Sequence, residues 1–354
     1  MERRENNFGM IRLLGAFLVI SGHMFILVGK GAPSILWAPV HSVGVAVFFV
    51  IGGYLITLSW LREPKWTRYL IKRILRIFPG LIVCVLVTVF VIGPLVTELP
   101  VGEYLANRQT WTYLKNCFLW CSFALPGVFL HNPVPGTVNG SLWCLPVEFL
   151  MYLIVPVYVS LGNKLSASAK KWFYGICTML IVAAGTIWTT WFYETHYVFL
   201  GMDLSQMMCI VPFYFVGIWA ALCRLEGFLN LQAAMVVLFL GAGLVYLPAP
   251  FTYVCQFFSI PYVILSLALA EKPFFATCRL FRSGTLPDIS YGMFLFSFVI
   301  QQLLIQIFLT WGIPMNVWII LLLTLLISAL LGVLTEQLVE KPMGRLCKKL
   351  LQKM

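Results

Sequence analysis

The stretch IRLLGAFLVISGHMF, residues 11–25, decides the fold. It lies in an apolar run over 8–28, and about 20 such residues suffice to cross a bilayer as a helix. Yet Arg12 and His23 sit inside it. What lets a membrane helix carry both is the question from which the function follows.

The rest of the chain has the same character. It is 354 residues long, 61% hydrophobic and 10% charged, with a mean hydropathy of +0.92, which is far too apolar for a soluble domain of this size. Comparable runs recur at 41–61, 77–97, 141–161, 172–192, 205–224, 229–247, 251–270, 288–310 and 316–336. They are continuously apolar rather than alternating, as membrane helices are and barrel strands are not. The expected fold is an all-α integral membrane protein, a polytopic bundle of about ten transmembrane helices, with 1–354 as a single membrane-embedded domain.

Charge orients the bundle. With the N-terminus inside, 20 of the 24 Lys and Arg residues fall in cytoplasmic segments, among them Arg3, Arg4, six in 62–76, Lys272, Arg279, Arg282 and five from Lys341 to Lys353. Only Lys30, Arg108 and Lys115 fall outside. That bias predicts cytoplasmic termini. The net charge of +11 is then a topology signal with attraction to anionic lipid, and no basic face interleaved with aromatics suits a nucleic acid. The first run is too long and too charged inside for a cleaved signal peptide.

Of the ten cysteines, only Cys117 and Cys121 are expected outside. Their i,i+4 spacing fits disulfide geometry poorly. No Cys/His spacing resembles a metal site.

Arg12 and His23 are eleven residues apart, so on a helix they share a face within about 20°, about 16 Å apart along the axis. A charge near mid-bilayer costs about 2.5 kcal/mol or more, so this face should meet the protein interior or a watered cavity. Arg12 reads either as a snorkelling anchor or as part of a polar path. His23 reads either as a helix-packing histidine or as a general base. In the cytoplasmic segment, Arg68, Lys72 and Arg76 share a helical face with Arg73 beside them. Two readings stand, an interfacial helix on lipid headgroups and an anion site for a phosphate-rich ligand such as a nucleotide or coenzyme A. Glu148 follows Pro146, whose ring should free a backbone carbonyl. It is either a structural hydrogen-bond partner or a functional carboxylate, as a partner to His23 or a ligand of the acceptor. Glu336 reads as a solvated carboxylate, Asp288 as a helix cap before Ser290, and His41 as an interfacial residue.

Together, Arg12 and His23, FFVIGGYLIT (48–57), RILRIFPG (73–80), SLWCLPVEF (141–149) and ISYGMFLFSFVIQQ (289–302) resemble the acyltransferase-3 family of integral membrane O-acyltransferases. The resemblance spans almost the whole chain. It implies an enzyme of the inner membrane that transfers an acyl group, usually acetyl, from cytoplasmic acyl-CoA to a hydroxyl of a cell-envelope glycan such as O-antigen or exopolysaccharide. The implied pair is Arg12 and His23, with His23 as base and Arg12 orienting it or stabilising charge, while Glu148 joins them on its own reading as a functional carboxylate. Arg73 and Arg76, with Lys72, would be the seat of the CoA phosphates. Direct transfer is favoured, since no cysteine or serine is an evident nucleophile. The external segment 98–140 would bind the glycan, with Trp111, Tyr113 and Trp120 as stacking faces or interfacial aromatics.

Ile51-Gly52-Gly53 stands where the family commonly has Ile-Ser-Gly, and Ser297 where many members have histidine. The Gln301-Gln302 ending resembles polysaccharide-modifying members. The chain ends soon after its last run, which is expected to leave no room for the extracytoplasmic domain some members carry. The rival reading is a transporter of polysaccharide or its precursor, although the patterns around Arg12, His23 and Arg73 have no counterpart after residue 180. A purely structural membrane protein would have no need of His23.

Overall fold

The computed structural model of the protein describes residues 7–270 and 288–354. Arg3, Arg4, Lys272, Arg279 and Arg282, which entered the topology argument, lie outside them. Among the described residues, nine helices are long and apolar enough to cross a membrane. The chain is an all-α polytopic membrane protein.

In order the helices are α1 (Phe8–Leu27), α2 (Val40–Arg62), α3 (Trp66–Val96), α4 (Cys144–Gly162), α5 (Ala167–Trp191), α6 (Leu204–Cys223), α7 (Leu231–Leu240), α8 (Ala249–Ala268), α9 (Ser290–Thr310) and α10 (Val317–Lys353). Two small hairpins, Ser34–Ile35 with Ala38–Pro39 and Val198–Phe199 with Met202–Asp203, are the strands among the described residues. The layout differs from the sequence reading at three places. α7 is only ten residues long and passes into a 3-10 helix, Gly241–Tyr246. Gly241 and Gly243 lower helix propensity there, and Pro248 follows. α3 starts at Trp66 rather than at 77, because the basic segment is already helical, and it widens into a π turn at Thr88–Ile92 just before Pro94. α10 likewise runs through a π turn, Glu336–Glu340, to Lys353.

Helix packing in lipid relies on small residues that let backbones approach. α2 packs against α1 on one side and α6 on the other. At the α2–α6 crossing a Cβ on Gly53 would lie 2.1 Å from the Tyr214 carbonyl oxygen, and one on Gly217 would lie 2.4 Å from the Val50 carbonyl oxygen. Neither partner atom can swing away, as both are backbone. Gly53→Ala is therefore expected to destabilise the bundle by about 1–3 kcal/mol, the usual cost of overpacking. A lower thermal midpoint in detergent, with Gly9→Ala unchanged as control because nothing lies within 4 Å of its Cβ position, would be the check. An unaltered midpoint for Gly53→Ala would count against the close crossing.

α9 is the most enclosed span, packed by α1, α3 and α10, and its apolar residues run almost unbroken. Polar atoms of α9 tie the bundle together. Gln301 donates to the Ile20 carbonyl at 2.7 Å. Gln302 donates to the carbonyls of Val134 and Thr137 and accepts from Asn132. The paired glutamines thus anchor α1 and the 98–140 segment, although the Oε1 of Gln301 is buried without a partner. Pro146 falls in the first turn of α4, where no N–H partner is needed. The carbonyl it was expected to free is not an interior one; Pro156 is the proline inside the helix.

Candidate active site

At one end of the bundle, α1, α2, α3, α4 and α9 enclose a cavity of about 290 Å³ lined by Arg12, Arg73, Arg76, Glu148, Tyr152 and Tyr291, with apolar walls from Phe48, Phe49, Leu55 and Phe294. Residues far apart in sequence meet here. Three guanidinium groups and a carboxylate share one small space.

Asp288 joins two of these arginines. Arg12 donates to its Oδ2 at 3.1 Å and Arg76 at 3.3 Å, while Ser290 Oγ donates to its Oδ1 at 2.6 Å. Arg76 also pairs with Glu340 of α10 and lies 5.3 Å from the Tyr291 ring centre. Asp288 therefore does not cap α9 by accepting from its backbone, as the Asp-x-Ser pattern suggested, but clasps α1 and α3 to α9. Burial works to raise its carboxyl, yet Arg76, Arg12 and the Ser290 hydroxyl hold it below the usual carboxylate range. A folded value below the unfolded one stabilises above the unfolded value, and that contribution is lost as pH falls through the folded one. Asp288→Asn should therefore cost about 1 kcal/mol at neutral pH, a charge-assisted bond discounted for partial exposure. The thermal midpoints of the two proteins should converge in acid. Parallel curves down to acid pH would remove the Asp288 clasp.

Arg73 stands differently. It reaches Ser59 Oγ at 3.2 Å, lies 5.6 and 5.8 Å from the ring centres of Tyr69 and Tyr152, and has a buried Nε with no hydrogen-bond partner. Among the described residues no carboxylate pairs with it. Lys72 departs from its expected place beside Arg73 and Arg76. It and Arg68 both hold Glu63, at 2.6 Å each, and Lys72 does not line the cavity. Its hydrogen bond and that of Arg68 hold the Glu63 carboxyl down to about 2, so these two cations stay neutralised. On a helix, Lys72 and Arg73 point about 100° apart; the sequence pattern could not say which face met the cavity.

Glu148 lines the cavity and accepts from the Tyr152 hydroxyl one turn along α4. The described hydrogen bonds do not join it to His23. Tyr152 was missed from the sequence although its i,i+4 spacing from Glu148 offers the signal. His23 lies outside the cavity wall, about three turns along α1 from Arg12, against His41 and Phe298. His41 is thus not a bare interfacial residue but packs ring to ring with His23. Glu336 is not solvated either; it is 8% exposed and pairs with Lys341 at 3.0 Å.

In the 98–140 segment, Tyr113 is fully buried, so it cannot stack on a glycan, whereas Trp111 and Trp120 are half exposed. Cys117 and Cys121 are free thiols. No group of three or more His, Cys, Asp or Glu able to hold a metal ion is present among the described residues.

The chain belongs to the acyltransferase-3 family, whose sequence model, described as an acyltransferase domain, matches residues 6–335. An O-acetyl transferase of Shigella phage Sf6 is 32% identical over 158 residues, 44% of this chain and 46% of that protein. Nodulation protein 10 of Rhizobium leguminosarum is 28% identical over 172 residues, 45% and 46% of the two chains. Peptidoglycan O-acetyltransferase OatA of Listeria monocytogenes is 24% identical over 194 residues, 51% of this chain and 27% of that one. The chain spans less than half the length of these curated relatives. No solved structure matches it significantly.

Proposed function

We propose that the protein is an O-acyltransferase that moves an acyl group, acetyl in the first place, from cytoplasmic acetyl-CoA to a hydroxyl of a cell-surface polysaccharide or its lipid-linked precursor. The observation that carries this reading is Arg73, a guanidinium lining the cavity with no carboxylate partner among the described residues and an orphaned buried Nε. A buried donor of this kind calls for an anion. Arg12 and Arg76 are already offset by Asp288 and Glu340, so Arg73 is the surplus charge that a phosphate would meet.

On this reading the CoA phosphates sit at Arg73 and Arg76, and the apolar walls at Phe48, Phe49 and Phe294 receive the uncharged arm. His23 removes the proton of the acceptor hydroxyl, and the oxygen forms a bond to the thioester carbonyl carbon. The carbon–sulfur bond then breaks, and His23 returns its proton to the leaving thiolate. Arg12 and Glu148 order the passage between cavity and histidine. Direct transfer is supported by the side chains nearest the cavity, since the Ser290 hydroxyl is committed to Asp288 and the Cys144 thiol to the Ser141 carbonyl. The names of the phage and Listeria relatives support acetyl as the group and oxygen as the acceptor atom. The charge bias supports a cytoplasmic position in the inner membrane for the arginine end, where α1, α3, α9 and α10 are joined.

The test is transfer of labelled acetyl from acetyl-CoA to envelope glycan in membranes holding the wild-type chain, against membranes without it. Label in the glycan supports the enzyme. A precursor that reaches the outer face only when the chain is present, with no label transferred, would instead favour a translocase.

A further inference from the structure

A second imidazole faces His23. His41, near the start of α2, has its ring centre 5.5 Å from that of His23, with the planes inclined by 31°. Phe298 of α9 closes another side of His23, edge-on at 5.3 Å. The helices are pressed together because Gly22 has no Cβ; one there would come within 2.6 Å of the His41 backbone nitrogen. The Nδ1 atoms of both rings are buried without a hydrogen-bond partner, while both residues as wholes remain partly exposed. Two orphaned nitrogens on neighbouring rings are a costly way to fill space that apolar side chains could fill. One N–H···N bond between the rings would satisfy both at once, and the ring separation leaves room for it.

We propose that His41 is the positioning residue of a two-imidazole relay, accepting the Nδ1–H of His23 so that Nε2 of His23 is presented as the base. The inference rests on the reading of His23 as the base in O-acyl transfer. The acceptor O–H bond breaks and its proton passes to His23 Nε2. The oxygen bonds to the acyl carbon, the carbon–sulfur bond breaks, and the proton leaves with the thiolate. His41 gains and loses nothing over the cycle. Its lone pair fixes the tautomer of His23 and shares the positive charge while His23 holds the extra proton.

The experiment uses the full chain, purified in detergent, with acetyl-CoA and acceptor glycan. His41→Phe keeps a ring and removes both nitrogens, and His41→Asn restores a short hydrogen-bonding group. The relay predicts that His41→Phe lowers kcat on the order of 10- to 100-fold, as loss of a tautomer-fixing partner does elsewhere, with the donor KM within about twofold of wild type, and that His41→Asn recovers part of the loss. Wild-type kcat in His41→Phe would overturn it. Should His41→Phe fail to elute as a single folded species, kcat of His41→Asn decides, an unchanged value overturning the relay. A second readout needs no activity: carbethoxylation of His23 by diethyl pyrocarbonate, followed by peptide mass spectrometry, should slow in His41→Phe. Should the wild-type chain transfer no acyl group, the acyltransferase reading fails on its own, and an unchanged carbethoxylation rate would sink the relay separately.

Discussion

Replacing His23 by alanine is expected to lower kcat for acyl transfer by roughly 10²–10⁴-fold, the usual contribution of a positioned general base, with the donor KM close to wild type. The separation of effects follows from the geometry. His23 lies about three helical turns from Arg12 and outside the cavity that holds the three arginines, so its loss should not touch the phosphate end of the donor. Nor should it break the bundle. Its imidazole makes ring contacts with His41 and Phe298, while the α1–α2 contact at this level is set by the close backbone approach at Gly22. Labelled acetyl incorporated at matched protein abundance is the measurement. Equal turnover in wild type and His23→Ala would remove the histidine from the mechanism, and a rise in donor KM alone would move it from base to binding residue.

Arg73→Ala should show the opposite pattern. A hydrogen bond to a charged group contributes about 1.5–3 kcal/mol, and about 1.4 kcal/mol is tenfold in affinity, so the donor KM should rise about 10- to 100-fold while kcat at saturating donor is kept. Arg73→Lys should recover little, because an ammonium keeps the charge but loses the planar fork and its packing over Tyr69 and Tyr152. Acetyl-pantetheine, which lacks the nucleotide phosphates, offers the internal control. Wild type and Arg73→Ala should use it alike. If the mutant is equally impaired with the truncated donor, Arg73 acts on the arm or the fold rather than on phosphate. The neighbouring Lys72→Gln should leave the donor KM unaltered, since Lys72 is held by Glu63.

Much of the fold was legible because lipid imposes one solution on an apolar chain. Runs of about 20 apolar residues must be helices, and among the described residues nine of the ten expected runs are helices long and apolar enough to cross a membrane. The tenth, at 229–247, is an α-helix only over Leu231–Leu240 and continues as a 3-10 helix from Gly241, where apolarity and helix propensity part company. The site was legible in part. Arg12 and Arg73 could be singled out because a cation in or beside a membrane helix needs a reason to be there. Asp288 could not be placed, because its partners Arg12 and Arg76 lie more than 200 residues away in the chain. Tyr113 resembled a sugar-stacking aromatic and is buried, since composition cannot tell which face of a short helix turns inward. The Gln301-Gln302 pair, read for its likeness to sugar-modifying proteins, holds loops and helices together.

The sequence by itself determined the solvent of the chain, its helical class, the family resemblance and the shared face of Arg12 and His23, for these depend on composition and on the fixed period of the helix. Tertiary structure alone decided which polar groups meet. It left Arg73 without a counter-ion among the described residues, gave Lys72 to Glu63, and set His41 against His23, because those pairings depend on how helices cross at Gly22, Gly53 and Gly217. Helix crossing follows from close packing between segments distant in the chain, and no local pattern carries that information.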